Sequence, residues 1–249
     1  PGSLGRNTVN CLLVDRSGLL WIGLEGGGAA SLNLRAAENF PLYTHDPGDP
    51  SGLASSMILA LGRDSSGAVW VGTDRGLDRI DRSWKSVRSF RPDPQRPDSL
   101  AGESVRAVLA DSRGFLWVGV AGGGLQRLYL PALDRGGFFS PLRRDPPFRR
   151  FSHDPSRENS LAEADVTVLL EDREGLLWVG TAGEGLDCFD PRKETFTHHR
   201  YDPDALFSLG GNTVTCLLED RFSHLWVGTE GTGLARYDRS TDRFVRLRE

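Results

Sequence analysis

The sequence predicts an all-β fold made of five copies of one four-stranded antiparallel unit, and three observations support this prediction. A motif, Asp-x-x-Gly-x-x-Trp-[Val/Ile]-Gly, recurs along the 249 residues. Helical hydrophobic periods are absent, whereas short runs of branched and aromatic residues are frequent. Glycine is enriched, with 30 residues, which suits many turns and closely packed sheets. Repetition at a fixed period of tens of residues is typical of a repeat architecture. The motifs begin at Asp15, Asp64, Asp111, Asp172 and Asp220.

Each copy begins with a predicted hairpin. An apolar run such as CLLV or VLLE precedes the aspartate, and the Trp-[Val/Ile]-Gly segment follows the turn. Asp-x-x-Gly favours a turn because the carboxylate can bond nearby backbone N–H groups and glycine accepts a positive φ. The fifth copy carries Ser223 in place of this glycine. We therefore expect that turn to be strained or differently shaped.

Two further strands complete each unit, and the first two strands carry apolar residues on both faces. Each sheet must therefore be covered on both sides, and four-stranded sheets packed face to face around an axis form a β-propeller. We predict one propeller domain over residues 1–249, either a five-bladed ring or a five-blade piece of a larger propeller. The blades are predicted at approximately 5–46, 54–93, 101–154, 162–202 and 210–249. The chain begins and ends in the same inter-unit loop, so it is expected to be a piece of a longer protein or a mature ring of five.

Length variation between the units falls after the tryptophan. Insertions collect where the backbone is on the surface, so the first strand is predicted on the inner, axis-lining side and the fourth at the outer edge. The opposite strand phase remains open. An insertion, 129–147, lengthens the third unit, and Phe138 and Phe139 beside arginines could form a binding arm. A long loop folded against its own blade is the simpler interpretation.

Composition excludes several classes of function. The net charge is −4 without a basic block, which argues against nucleic acid. Three cysteines without a C-x-x-C pair give neither a disulfide framework nor a zinc site, and Cys11 and Cys216 are expected to be small buried residues. There is no targeting signal in this chain, no apolar run near the ~20 residues of a membrane span, and no metal, phosphate or nucleophile motif. We expect no cofactor, no metal, no catalytic residue and no membrane insertion of this segment.

The recurring aromatic and acidic residues have structural interpretations. The repeated tryptophans are better explained by packing between blades than by sugar stacking; they are Trp21, Trp70, Trp117, Trp178 and Trp226. Trp84 lies outside the pattern and is the better candidate for an exposed contact. His45 and His153 share a repeat position and are interpreted as structural. His198 and His199 point to opposite faces of one strand and cannot both bind one metal.

Candidate ligand-binding residues come from what varies between the units. The loops between second and third strands and the loops between units share one face of a propeller, here called the rim face. If five blades close into a ring, Glu230, Glu25 and Asp74 form an acidic arc there, with Arg75 beside it and Glu184 across. The arc could bind a cation, an amine or sugar hydroxyls, although a solvated rim is the simpler interpretation. Polar residues on the first strands could line the channel mouth: Asn10, Arg106, Thr167 and Thr215.

The segments NTVNCLLVDRSGLLWIGLEGGG and NTVTCLLEDRFSHLWVGTEGTGL resemble the two-component regulator propeller repeat. The resemblance covers essentially the whole chain; the departures are a shorter loop after Thr73, Ser223 and the insertion. It implies a sensor β-propeller, usually periplasmic, at the front of hybrid histidine kinases, and hence an extracytoplasmic location and downstream signalling domains in a longer parent protein.

These observations favour a non-enzymatic sensory propeller that binds a small ligand or oligosaccharide at the rim face. One alternative is a protein–protein interaction scaffold or a self-associating propeller, because unpaired outer strands invite pairing with another chain. A lyase or hydrolase ranks third. Its acid–base pair would have to come from Glu25, Asp74, Glu184, Glu230 or the histidines, and nothing in their spacing demands it.

Overall fold

A computed structural model describes residues 8–15, 17–33, 41–49, 52–83, 86–134 and 147–247. Within these ranges the chain forms five four-stranded sheets with the strands of each in sequence order. This confirms the predicted fold class, a β-propeller of five four-stranded antiparallel blades. Trp84 and most of the predicted insertion lie outside the described residues.

The strands follow the repeat. Blade 1 comprises β1 (Val9–Val14), β2 (Leu19–Leu24), β3 (Gly28–Asn33) and β4 (Leu42–Tyr43). Blade 2 comprises β5 (Ile58–Arg63), β6 (Val69–Thr73), β7 (Gly76–Ile80) and β8 (Val87–Phe90). Blade 3 comprises β9 (Val105–Ala110), β10 (Phe115–Val120), β11 (Gly124–Tyr129), a short helix α1 (Pro131–Asp134) and β12 (Arg149–Phe151). Blade 4 comprises β13 (Val166–Glu171), β14 (Leu177–Thr181), β15 (Leu186–Asp190) and β16 (Thr195–His199). Blade 5 comprises β17 (Val214–Glu219), β18 (Leu225–Thr229), β19 (Gly233–Asp238) and β20 (Arg243–Leu247).

The contacts divide the chain into two compact units. Unit 1 is Pro1–Val118 with Gln126–Arg149, and unit 2 is Gly119–Leu125 with Arg150–Glu249. In unit 1 the first strand β5 contacts the first strands β1 and β9, and in unit 2 β13 contacts β17. Neighbouring blades therefore converge on their first strands within each unit. This confirms the predicted inner position of the first strand.

The first hairpin of each blade turns at the motif aspartate. In blade 4 the amide of Gly175 donates to the Asp172 carbonyl at 2.9 Å, and Gly175 has a φ of 79°. In blade 5 Ser223 makes the same bond to Asp220 at 3.1 Å with a φ of 64°. A side chain in the left-handed region is strained. The predicted strain is therefore confirmed, and the turn keeps the common shape.

The glycine two positions after the tryptophan allows a close approach between blades in blades 1, 2 and 4. A Cβ at Gly180 would lie 2.8 Å from a methyl group of Val214 in the next blade, and a Cβ at Gly72 would lie 2.7 Å from the Val105 carbonyl oxygen. Real Cβ atoms essentially never sit so close. The Trp-x-Gly spacing therefore encodes both a large packing side chain and the space that the neighbouring first strand needs.

The tryptophans provide much of the packing. Trp21 packs with Ile58, Val69 and Val71 of blade 2. Trp178 packs with Val214 and Val227 of blade 5. The predicted packing between blades is confirmed for these two residues. Truncation of a buried tryptophan costs about 3–5 kcal/mol. Four of the rings are at most 1 % exposed (Trp21, Trp70, Trp117 and Trp178), whereas Trp226 is only partly buried.

Candidate functional site

Backbone hydrogen bonds join the two kinds of loop on the rim face. The amide at the start of the third strand donates to a carbonyl of the following inter-blade loop: Gly28 to Ser56, Gly124 to Ala164 and Gly185 to Asn212, at 2.8, 2.9 and 2.9 Å. All three glycines have a positive φ, between 71° and 88°. A Cβ at Gly124 would also lie 2.7 Å from the Phe151 carbonyl oxygen. The loops therefore hold a fixed frame for side chains on this face.

The predicted rim residues of unit 1 are solvent-exposed. Glu25, Asp74 and Arg75 all lie at the exposed tips of loops between second and third strands. Asn10 instead uses its side-chain amide to donate to the Ile58 carbonyl of the next blade at 2.9 Å. Arg106 is exposed on β9. Asn10 thus joins neighbouring first strands, while the other four residues are available to solvent.

The predicted rim residues of unit 2 include one ion pair. Glu184 accepts from Arg200 Nε at 3.0 Å, and both side chains are about half exposed. Thr167 donates to the Val214 carbonyl at 2.6 Å, as Asn10 does in unit 1. Thr215 donates to the Gly228 carbonyl of its own hairpin, and Glu230 is exposed. The acidic arc would need residues of both units, so it stays a prediction.

A cavity of about 600 Å³ lies beside the Glu184–Arg200 pair in unit 2. The inter-blade loop 153–162 and β16 form its walls. Arg157, His198 and Arg200 supply donors, and Glu158 and Asn159 supply further polar groups. The volume lies within the ~300–1,000 Å³ range of small-molecule sites. The sequence did not predict this cavity, although the neighbouring histidines drew attention to β16.

His198 anchors the cavity wall through both ring nitrogens. Nδ1 lies 2.6 Å from Oδ1 of the buried Asp187, and Nε2 lies 2.7 Å from the Glu158 carbonyl oxygen. A carbonyl can only accept, so both nitrogens donate when the ring is protonated. The hydrogen bond to Asp187 raises the pKa of His198, and burial opposes it more weakly. His199 faces the other side and stacks on Trp178, as the alternation of strand side chains predicts.

Unit 1 has a smaller cavity of about 290 Å³ along the inter-blade loop 91–100, lined by Ser89, Arg91 and Arg96 among others. In blade 2, Asp78 is the third-strand residue that corresponds to Asp187, and it accepts from the Ser89 hydroxyl and from the amide of Ala54 in the preceding inter-blade loop. Burial raises the pKa of Asp78 to about 6, although both donors oppose the shift. Both blades thus keep an aspartate at this third-strand position, and its fourth-strand partner changes from His198 to Ser89.

One repeated contact was missed at the sequence level. In every blade the motif aspartate accepts a hydrogen bond from the indole Nε1 of its tryptophan, at 3.1, 2.9, 2.8, 2.7 and 3.0 Å in blades 1 to 5. The constant six-residue spacing was the available signal. The aspartate was interpreted as a turn residue and the tryptophan as a packing residue, so the hydrogen bond between them was overlooked.

The cysteines differ in exposure. Burial raises the pKa of Cys11 and of Cys188 to about 12. Cys216 is exposed, so the expectation of a small buried residue is wrong for it. The reason is that its face of blade 5 is uncovered. Among the described residues no group of three His, Cys, Asp or Glu could hold a metal ion. No helix in the described ranges has the length and hydrophobicity to cross a membrane.

The blades and their rim loops define the chain as a β-propeller protein. Three segments match the family model described as two component regulator propeller: residues 3–26, 160–183 and 208–231. The match confirms the family resemblance of the repeats. No curated protein matches the sequence.

Solved structures show the same fold. The extracellular domain of a putative hybrid two component system from B. thetaiotaomicron is 22% identical with a TM-score of 0.77, covering 100% of this chain and 30% of that chain. A second such domain from that organism is 21% identical with a TM-score of 0.77, covering 98% and 31%. Virginiamycin B lyase from Staphylococcus aureus is 14% identical with a TM-score of 0.65, covering 96% and 69%. At these identities the similarity concerns the fold, and this chain spans under a third of the two B. thetaiotaomicron domains.

Proposed function

We propose that this chain is a non-enzymatic sensory propeller of an extracytoplasmic two-component regulator and binds a small ligand or oligosaccharide at the rim face. The observation that carries the proposal is the cavity of about 600 Å³ beside the Glu184–Arg200 pair. Its polar walls suit a ligand rich in hydroxyl groups. The family match, and the shared fold with extracellular domains of two component systems from B. thetaiotaomicron, support the regulatory context and the location.

Signalling by this propeller depends on the rest of a longer parent protein. A bound ligand shifts an equilibrium only through different contacts in the two states. The anchored loop 153–162 is the element through which a ligand in the cavity would act, because His198 holds the loop to blade 4. Downstream signalling domains would read that change.

The proposal is tested by calorimetry against a panel of oligosaccharides and small polar metabolites. We expect one class to bind, and Arg200→Ala to weaken it by at least tenfold because it removes both a donor and the partner of Glu184. Lys193→Ala is the matched control, since Lys193 is an exposed cation in the turn between β15 and β16, at the opposite end of blade 4.

A second pair of variants distinguishes the cavity from the predicted arc. Glu25→Ala with Asp74→Ala removes acidic rim residues of unit 1 and leaves unit 2 intact. Loss of ligand binding in this double variant, with binding by Arg200→Ala unchanged, would show that the ligand binds at the acidic arc and not in the cavity. Absence of binding by every compound in the panel would contradict the sensory function.

A further inference from the structure

His198 on β16 lies between two hydrogen-bond acceptors. Its Nδ1 faces the Asp187 carboxylate at 2.6 Å, and its Nε2 faces the Glu158 carbonyl oxygen at 2.7 Å. A neutral imidazole carries a proton on only one nitrogen, so it satisfies only one of these acceptors, whereas the imidazolium donates to both. The geometry at both nitrogens therefore fits the charged ring. In agreement, the hydrogen bond to Asp187 raises the pKa of His198 above its ordinary 6.5.

Loss of the proton breaks the bond to the loop and keeps the bond to the aspartate. Asp187 is fully buried, and its second oxygen already accepts from the Ala162 amide at 2.8 Å. A lone pair on Nδ1 facing this buried carboxylate is much less favourable than a lone pair on Nε2 facing a neutral carbonyl. The neutral ring therefore keeps its proton on Nδ1. Its Nε2 then points a lone pair at the Glu158 carbonyl oxygen, and these two acceptors repel each other.

The Glu158 carbonyl belongs to loop 153–162, which forms one wall of the cavity of about 600 Å³. The carbonyl of the next residue, Asn159, accepts from the amide of Phe196 on β16 at 3.2 Å. Both carbonyls lie against the same strand, so release of Glu158 also weakens the bond to Phe196. Because β16 forms the other wall, the shape of the cavity depends on whether the loop is held.

The equivalent fourth-strand position in two other blades carries residues that do not titrate near neutral pH. Arg246 holds it in blade 5 and donates to the Ala205 carbonyl of the inter-blade loop there. An arginine stays charged across the physiological range, so this contact is independent of pH. Ser89 holds the position in blade 2 and donates to Asp78. Among these three residues, only His198 can change between holding and releasing a loop.

Other charged and titratable groups surround His198 without deciding the contact. Those lining the same cavity are His153, Asp154, Arg157, Glu158 and Arg200. Arg200 lies just beyond β16, and its charge opposes the effect of Asp187 on the pKa of His198. His153 bonds to the Leu161 carbonyl through Nδ1 at 2.9 Å, which a neutral ring does with a single N–H. His199 lies on the other face of β16, against Trp178.

We propose that His198 is a proton-operated latch, which in its charged form holds loop 153–162 on β16 and in its neutral form releases the loop. The cavity is then formed at mildly acidic pH and opens as the pH rises. A ligand that binds the closed form also favours the protonated ring, so the protein takes up protons when it binds that ligand. This use of the latch rests on the proposed ligand site, whereas the latch itself does not.

Amide hydrogen exchange measures the latch without any ligand. The Phe196 amide reports docking of the loop, and its exchange rate is divided by the intrinsic rate at each pH from about pH 5 to about pH 8. Its protection should fall roughly fivefold over this range, which corresponds to one net hydrogen bond. Phe244 is the internal control, because its amide donates to the Phe207 carbonyl at 2.8 Å in the loop that Arg246 holds. Protection of Phe244 should not change.

Two variants fix the latch in opposite states. Asp187→Asn can accept from the Ala162 amide and donate to Nδ1, so a neutral ring keeps its proton on Nε2 and still holds Glu158. Protection of Phe196 should then stay high at every pH. His198→Ser introduces the residue of blade 2, and protection should be low and independent of pH. Circular dichroism checks that both variants are folded.

Nitrogen chemical shifts of the imidazole follow the protonation of His198 in the wild-type protein. The ring should be charged at acidic pH and lose its proton over the range in which Phe196 loses protection. Equal protection of Phe196 before and after that titration overturns the proposal, as does a ring that stays charged or stays neutral throughout. The same pH dependence in Asp187→Asn also overturns it. Absence of ligand binding contradicts the proposed function alone, because neither measurement involves a ligand.

Discussion

The motif aspartate divides its two carboxylate oxygens between the turn and the tryptophan. In blade 4, Asp172 Oδ1 accepts from the amides of Glu174 and Leu176, each at 3.0 Å. Its Oδ2 accepts from the Trp178 indole at 2.7 Å and from Arg239 at 2.9 Å. One buried side chain therefore fixes both the hairpin turn and the orientation of the ring that packs on the next blade.

We predict that Asp172→Ala destabilises the protein by about 3 kcal/mol, because it leaves buried donors without an acceptor. Asp220→Ala removes the same motif residue from blade 5, where Trp226 is only partly buried, and should cost clearly less. Chemical denaturation of both variants measures the difference. Equal losses would show that burial of the tryptophan does not set the value of the bond.

Ser223 gives a second prediction at this scale. Its φ of 64° is strained for a side chain, so Ser223→Gly should stabilise by about 0.5–1 kcal/mol, despite losing the hydrogen bond from Arg173. Gly175→Ser is the reciprocal variant in blade 4, where a Cβ meets no atom within 4 Å and only backbone strain is added. It should destabilise by a similar amount. A fall in melting temperature for Ser223→Gly would contradict the strain.

Among the structural elements, the fourth strands of blades 4 and 5 hold the inter-blade loops through one variable position. His198 holds the Glu158 carbonyl in blade 4. Arg246 occupies the equivalent position in blade 5 and donates to Ser208 and to the Ala205 carbonyl. Ser89 fills it in blade 2 and bonds to Asp78 instead. This fourth-strand position therefore holds the inter-blade loop in blades 4 and 5 but not in blade 2, and only the histidine among the three residues titrates near neutral pH.

The raised pKa of His198 predicts a pH dependence. A histidine whose folded pKa exceeds its unfolded value contributes stability fully below that value of 6.5, and the contribution is lost as pH rises through the folded pKa. The melting temperature of the wild-type protein minus that of His198→Gln should therefore fall as the pH rises above 6.5. Burial lowers the pKa of His199, which acts in the opposite direction, but it is present in both proteins and cancels. A difference independent of pH would show that His198 is not charged in the folded protein.

The strands and turns could largely be predicted from the sequence, whereas the side chains that hold the inter-blade loops could not. Strand order, hairpin turns and the inner first strand follow from the Asp-to-Trp spacing and from where the chain tolerates length changes. The cavity in unit 2 depends on how loop 153–162 lies over β16, and those segments are some 40 residues apart in the chain. No local sequence pattern indicates that these two segments are in contact. The predicted acidic residues could be assigned to rim loops, but not to a shared ligand site.

For the molecule as a whole, exposure distinguishes one repeated tryptophan from the other four. Four indoles are buried, whereas Trp226 is only partly buried although it keeps its bond to Asp220. The repeat alone predicted five equivalent rings, because a motif does not reveal whether another sheet covers it. The exposed Cys216 on the same face has the same origin.

This difference predicts the fluorescence of the protein. In a Trp84→Phe background at low concentration, acrylamide should quench one component strongly, and Trp226→Phe should remove it. Trp21→Phe is the control and should lower the poorly quenched component instead. Uniform quenching of all five rings would contradict the burial pattern.

The hydrogen bonds between rim loops have an evolutionary consequence. In blades 1, 3 and 4, each joins a glycine at the start of the third strand to the inter-blade loop that follows, through backbone groups alone. Because no side chain takes part, the residues of that loop can change without loss of the bond. The inter-blade loops can therefore diverge in sequence while each of these blades stays joined to the loop that follows it.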